Sequence, residues 1–177
     1  MKRIFIGSFV KIPNFKYEKI KKDFGGIIAG RWVPEKNFHI TYTFIGNSSD
    51  KEISNIKQVL SPVLNKEIEV DIQFSGLGAF PNIYNPRVFF VKVKDNNGGL
   101  TSLNSFISEK LAVLGYKSDK NFVPHITLKR IKHVKKQQFL NTMKRYSDID
   151  FGSQAYIEVN IIESILTPEG AIYKKLD

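Results

Sequence analysis

No cysteine occurs among the 177 residues. That excludes disulfides, thiolate-bound zinc and thiol nucleophiles, and it is the usage expected of a cytoplasmic protein, which is the compartment expected here. No run approaches the ~18 consecutive apolar residues of a membrane-spanning helix, so no membrane association is expected. The opening Met1-Lys2-Arg3-Ile4-Phe5-Ile6-Gly7 has the basic start of a leader. Lys11 interrupts its apolar run and no small-residue cleavage site follows, so it reads as a first strand. Neither G-x-G-x-x-G nor G-x-x-x-x-G-K-[ST] is present, which removes those two phosphate-cradling loops. Acidic residues are in deficit: 17 Asp and Glu stand against 27 Lys and Arg, a formal net charge of +10. Such an excess favours polyanionic partners, but it equally suits a solvated lysine-rich surface, and the lysines are spread along the chain with no basic tail.

What the chain does carry is one short pattern used twice. Phe38-His39-Ile40-Thr41-Tyr42-Thr43-Phe44-Ile45-Gly46 is rich in β-branched and aromatic residues and ends on glycine, as a strand does. Strand alternation puts His39, Thr41 and Thr43 on one face and Phe38, Ile40, Tyr42 and Phe44 on the other. Pro124-His125-Ile126-Thr127-Leu128-Lys129-Arg130-Ile131 repeats the arrangement, with His125 and Thr127 on one face and Ile126 and Leu128 on the other. There are three histidines and six threonines, and two of the three histidines have Thr two positions on. A single His-x-Thr is a weak signal; its recurrence 86 positions later is a strong one.

The rest of the chain supports two similar halves. A hydrophobic content of 42% with 25% charged residues is that of an ordinary globular protein, and the length suits one domain, residues 1–177, built as two lobes. The spacing predicts a strand over 2–10, a helix over 15–24 capped by Asn14 and stopped by Gly25-Gly26, and the motif strand 38–46. Residues 27–34 are ambiguous, with Trp32 a core or rim aromatic. A helix over 50–65, distorted at Pro62, precedes a strand over 67–74, a loop at Ser75–Pro81 and a strand over 87–94. A helix over 100–114 stopped by Gly115, a loop over 117–123 and the second motif strand 124–131 follow. A helix over 135–146, one long strand over 156–166, a turn at 168–170 and a strand over 171–176 complete the chain. Short connections and an excess of strands indicate an α+β fold: two pseudo-symmetric lobes of mostly antiparallel sheet, with outer helices around a central cleft.

Two imidazoles facing one another across such a cleft are suited to displacement at phosphorus. One neutral ring accepts a proton from the nucleophile and one protonated ring gives a proton to the leaving oxygen. Thr41 and Thr127 are placed to donate to the non-bridging oxygens, and a cation would offset the charge of the transition state. Alternation puts Lys129 with the histidine and Arg130 opposite, unless the strand bulges, so the residues alone favour Lys129 and leave Arg130 open. A metal site would need a third ligand. His133 lies past the strand end and reads as solvent-exposed, and Glu35, Asp50 and Asp119 have no ligand-like spacing, so no metal and no cofactor are expected.

The paired His39-Ile40-Thr41-Tyr42 and His125-Ile126-Thr127-Leu128 resemble the two-histidine phosphoesterase superfamily, and most of all its RNA 2′,3′-cyclic phosphodiesterases, historically called 2′-5′ RNA ligases. The likeness extends from Arg3-Ile4-Phe5-Ile6 through Ser75-Gly76-Leu77-Gly78-Ala79-Phe80-Pro81 and Phe122-Val123-Pro124 to the tail Glu163-Ser164…Pro168…Gly170-Ala171…Tyr173. It implies metal-independent opening of a terminal 2′,3′-cyclic phosphate on RNA to a 2′-phosphate. By the same resemblance His39 is the proton donor, His125 the proton acceptor, and Thr41, Thr127 and Arg130 bind substrate. Tyr42 stands where the family usually has an aliphatic residue, and only a packing change is expected from it. The chain is expected to act as a monomer. The alternatives are an RNA-end-binding module without turnover, and a 2′-5′ RNA ligase or another 2′-5′ or cyclic-nucleotide phosphodiesterase.

Overall fold

The first half of the chain builds one sheet and the second half another, with each sheet borrowing strands from beyond its own half. In the computed structural model, which describes residues 1–119 and 121–177, β1 (Lys2–Phe9), α1 (Tyr17–Asp23), β2 (Ile28–Ala29), β3 (His39–Ser48) and α2 (Asp50–Leu60) are followed by β4 (Glu67–Phe80). Then come β5 (Val88–Asp95), α3 (Gly99–Ala112), β6 (His125–Arg130), β7 (His133–Val134) and α4 (Lys136–Met143). The strands β8 (Asp150–Glu158), β9 (Asn160–Thr167) and β10 (Gly170–Leu176) close the chain. Lys120, within the expected 117–123 loop, lies outside the described residues. None of the described helices is long and apolar enough to cross a membrane.

The strand orders are β10-β9-β1-β3 and β6-β5-β4-β8, all neighbours antiparallel, and β2 and β7 form a separate small pair. This is the expected α+β, two-lobed arrangement. Each motif strand, β3 and β6, is the terminal strand of its sheet; the outer edge of β6 is bridged by the Trp32–Val33 segment, with the Val33 N–H donating to the Leu128 carbonyl at 2.8 Å. The apolar faces close over a shared core in which Ile4, Ile6, Ile40, Phe74, Phe89, Ile126, Leu128 and Ile161 have almost no exposed surface. Ile53, Ile56 and Leu60 of α2, and Leu100, Leu103, Ile107 and Leu111 of α3, are buried against it, the helical spacing having matched the burial.

Several local expectations are corrected. Asn14 caps nothing: its backbone N–H donates to the Phe151 carbonyl at 2.9 Å, and α1 begins only at Tyr17. The helix after the first motif ends at Leu60, short of Pro62, and it starts in a capping box in which the Ser49 Oγ accepts from the Glu52 N–H while Glu52 Oε2 accepts from the Ser49 N–H at 2.7 Å. Residues 75–80 are strand rather than loop. β4 is paired on both sides, and Gly76 takes φ +76 at an irregularity where a Cβ would lie 2.2 Å from the Ser147 carbonyl oxygen. The stretch read as one strand over 156–166 is two. β8 belongs to the second sheet and β9 to the first, with Val159 buried at the crossing between them.

Candidate functional site

Both motif strands break their own alternation at the same place. Along β1, Ile6 pairs with Thr43 and Gly7 with Thr41, leaving Tyr42 as the extra residue. Along β5, Phe89 pairs with Lys129 and Phe90 with Thr127, leaving Leu128 extra. Tyr42 and Leu128 are the 86-residue equivalents of one another, so both motif strands bulge at the residue after the motif threonine. Past a bulge the faces exchange. Thr43 and Lys129, expected on the histidine face, are buried at 6% and 4% exposure, while Phe44 and Arg130, expected on the core face, point outward. The bulge is therefore what brings Arg130, rather than Lys129, to the side of His125 and Thr127. Tyr42 stays in the core as expected, with its hydroxyl hydrogen-bonded to the Ser8 hydroxyl at 2.9 Å.

His39, Thr41, His125, Thr127 and Arg130 line one cleft of about 1,180 Å³. All five residues expected at the site are thus brought together, while Lys129 is diverted behind the strand. Its ammonium sits over the Trp32 ring and donates to the Ile28 carbonyl at 3.2 Å. His133 is exposed.

The two imidazoles are held alike. Nδ1 of His39 is 2.6 Å from the Asn37 carbonyl oxygen, and Nδ1 of His125 is 2.9 Å from that of Val123, again 86-residue equivalents. A carbonyl can only accept, so each Nδ1 carries the proton and donates it. Among the described residues Nε2 of neither ring has a hydrogen-bond partner, so each keeps its lone pair available. Aromatic rings fix both orientations: Phe5 and Tyr173 lie 4.9 and 5.0 Å from the His39 ring centroid, and Phe80 and Phe90 lie 4.8 and 5.2 Å from that of His125. Burial holds the pKa of both rings below the ordinary imidazole value. The backbone hydrogen bonds oppose this in part, the neighbouring His125 adds to the depression at His39, and the Arg130 guanidinium adds to it at His125. Both rings are therefore neutral at rest above that value, each with a lone pair on Nε2.

Residues beyond the expected five complete the cleft. Arg3, Arg31 and Lys132 add to Arg130, and Trp32, Phe44 and Tyr173 supply aromatic surface. Arg3 also stacks over Phe44, with its guanidinium carbon 5.0 Å from the ring centroid. Their sequence signals were faint. Arg3 and Tyr173 lie within stretches that carried the family likeness, whereas Arg31 and Lys132 stood among many scattered cations. Among the described residues no three His, Asp or Glu side chains converge as metal ligands would.

A fold of two like lobes, each presenting a histidine and a threonine from an edge strand to one cleft, defines the two-histidine phosphoesterase class. Residues 11–177 match the family described as the AKAP7 2′5′ RNA ligase-like domain, and the chain belongs to that family. It is 36% identical over 177 residues to an RNA 2′,3′-cyclic phosphodiesterase of Archaeoglobus fulgidus, covering 98% of this chain and 97% of the relative. It is 33% identical over 174 residues to one of Aquifex aeolicus, covering 97% and 93%. The fold is that of E. coli LigT, crystallised with 3′-AMP, at a TM-score of 0.76 and 21% identity over 99% of this chain and 95% of that one.

Proposed function

We propose that this chain is an RNA 2′,3′-cyclic phosphodiesterase that opens a terminal cyclic phosphate to a 2′-phosphate without a metal. The observation that carries the reading is the matched pair of imidazoles in one basic cleft, each with Nδ1 engaged by a backbone carbonyl and Nε2 free. Relatives of 33–36% identity that span nearly the whole chain bear that activity as their name.

The anionic phosphodiester enters between the rings and offsets the positive surroundings, so one imidazole gains a proton on binding. His125 Nε2 takes a proton from water, and the water oxygen forms its bond to phosphorus. The bond from phosphorus to O3′ breaks, and His39 gives its proton to O3′, leaving a 3′-hydroxyl and a 2′-phosphomonoester. Thr41 and Thr127 hydroxyls donate to the non-bridging oxygens and Arg130 balances their charge. The histidine roles follow the family pattern, because the lobes themselves are nearly equivalent.

The test is an oligonucleotide ending in a 2′,3′-cyclic phosphate, incubated with protein and excess chelator and resolved by product. A 2′-phosphate is expected, with kcat lowered ~10²–10⁴-fold in His39→Ala and in His125→Ala. Turnover that survives His125→Ala overturns the acid–base assignment, and turnover that disappears under chelation overturns the metal-free step. Tight, salt-sensitive binding without product identifies an RNA-end-binding module instead.

A further inference from the structure

The residue whose carbonyl holds the His39 proton makes a second link of its own. Asn37 accepts from His39 Nδ1 through its main chain, and its side-chain Nδ2 donates to the Ala171 carbonyl of β10 at 2.9 Å. A carbonyl can only accept, so the amino side of the amide must face it. The asparagine is 5% exposed. Two positions beyond Ala171 on the same strand, Tyr173 sets its ring perpendicular to the His39 imidazole and meets Phe5 at 5.3 Å. One residue thus grips the imidazole with its backbone and, with its side chain, the strand whose tyrosine packs on that imidazole.

The strand order gives that link its purpose. β9 and β1 lie between β10 and β3. In a flat sheet, three strand spacings would hold β10 and β3 about 14 Å apart. Tyr173 and His39 nevertheless have ring centroids 5.0 Å apart, so the sheet curls and brings β10 over β3. β10 is the terminal strand, so no further strand of the sheet holds its outer side. The Asn37 amide spans the gap that the curl closes. Arg31 also reaches this hairpin, at the Pro168 carbonyl, but from an exposed position where water competes for the bond. The second lobe has no such link. Phe90 and Phe80 reach His125 from β5 and β4, the two strands next to β6, and the 86-residue equivalent of Asn37 is Val123, an apolar residue 53% exposed. Both lobes make the carbonyl-to-Nδ1 bond, but only in the first is its residue also tied by a side-chain amide.

We propose that Asn37 is a positioning residue for His39: its amide holds β10, and with it Tyr173, against the imidazole, and so keeps the proton on Nδ1 and Nε2 towards the cleft. The inference rests on reading His39 as one member of the acid–base pair. A ring released from this grip turns over or changes tautomer, and then presents the wrong atom to the departing oxygen. Phosphate binding is shared with Thr41, Thr127 and Arg130, none of which Asn37 holds. The loss is therefore expected in proton transfer rather than in affinity.

The test is the long-range ¹H–¹⁵N spectrum of the imidazoles in ¹⁵N-labelled protein, at a pH where both rings are neutral. In the parent, His39 and His125 are both expected in the Nδ1-protonated form. Asn37→Ala is expected to move the two His39 nitrogens towards the average of the tautomers and to leave His125 as it was. Tyr173→Leu is expected to move His39 in the same way, with little added by combining the two. With a cyclic-phosphate-ended oligonucleotide, Asn37→Ala is expected to lower kcat about tenfold while KM stays within twofold. Asn37→Ser, polar but shorter than asparagine, and Tyr173→Leu keep the test open if Asn37→Ala does not fold. A His39 that stays Nδ1-protonated in the Asn37 variants would overturn the proposal. So would equal changes at His39 and His125, which indicate general loosening, or a shifted His39 with kcat unchanged. Absence of turnover in the parent counts against the reaction reading instead, and the imidazole spectra then decide the link by themselves.

Discussion

The Lys129 ammonium lies 3.9 Å from the centroid of the Trp32 ring. Cation and indole together brace the strand that presents His125, Thr127 and Arg130. The lysine is 4% exposed, and burial holds its pKa below the ordinary value. Lys129→Ala loses the packed stem along with the ring contact and is expected to cost about 2–4 kcal/mol. Lys129→Met keeps the stem and sheds the charge, and is expected to stay within about 1.5 kcal/mol of the parent. Urea midpoints of the two variants check this, and equal losses would mean that charge rather than packing matters.

The depressed histidine pKa values fix the direction of the pH response. Productive binding needs one proton shared between two rings that burial makes titrate below the ordinary imidazole range. The bell-shaped profile of kcat/KM is therefore expected to peak below pH 6.5. Arg130 depresses His125, so Arg130→Met is expected to move one limb of the profile to higher pH while lowering the maximum. A limb that stays in place would show that the guanidinium does not act on that ring.

Gly30 stands directly behind the reactive strand. Its φ is +142, and a Cβ there would lie 2.3 Å from the Arg130 carbonyl oxygen. Gly30→Ala must displace β6 or the 28–34 segment, at a cost of about 2 kcal/mol or more. Because the displaced backbone carries Arg130, kcat/KM is expected to fall about tenfold in protein that remains folded. Thermal denaturation and steady-state assays on the same preparation separate the two effects.

Phe44 is 55% exposed, beneath Arg3, and lines the cleft. Phe44→Ala is expected to change stability by no more than about 0.5 kcal/mol while raising KM for an oligonucleotide. A large loss of stability with KM unchanged would return Phe44 to the packing role that alternation first suggested.

Arg31 lines the cleft and donates to the Pro168 carbonyl at 2.8 Å. If it contacts one phosphate of single-stranded RNA, Arg31→Ala is expected to flatten the slope of log affinity against log salt by about 0.7. Titrations between low and moderate salt measure it, and an unchanged slope would place the RNA backbone elsewhere.

The primary structure by itself determined the paired His-Thr units, the apolar faces that bury Ile40, Ile126 and Leu128, the helical stripes of α2 and α3, and so the two-lobed α+β plan. These are properties of short periodic segments, which local side-chain chemistry dictates. The tertiary structure alone decided which side chains past each threonine reach the cleft. A bulge depends on the register of the neighbouring strand, here β1 for Tyr42 and β5 for Leu128. No period within β3 or β6 records it, so alternation placed Thr43, Phe44, Lys129 and Arg130 on the wrong faces. The division of 156–166 between two sheets has the same origin, since a continuous apolar run does not specify which partner strand each half will meet.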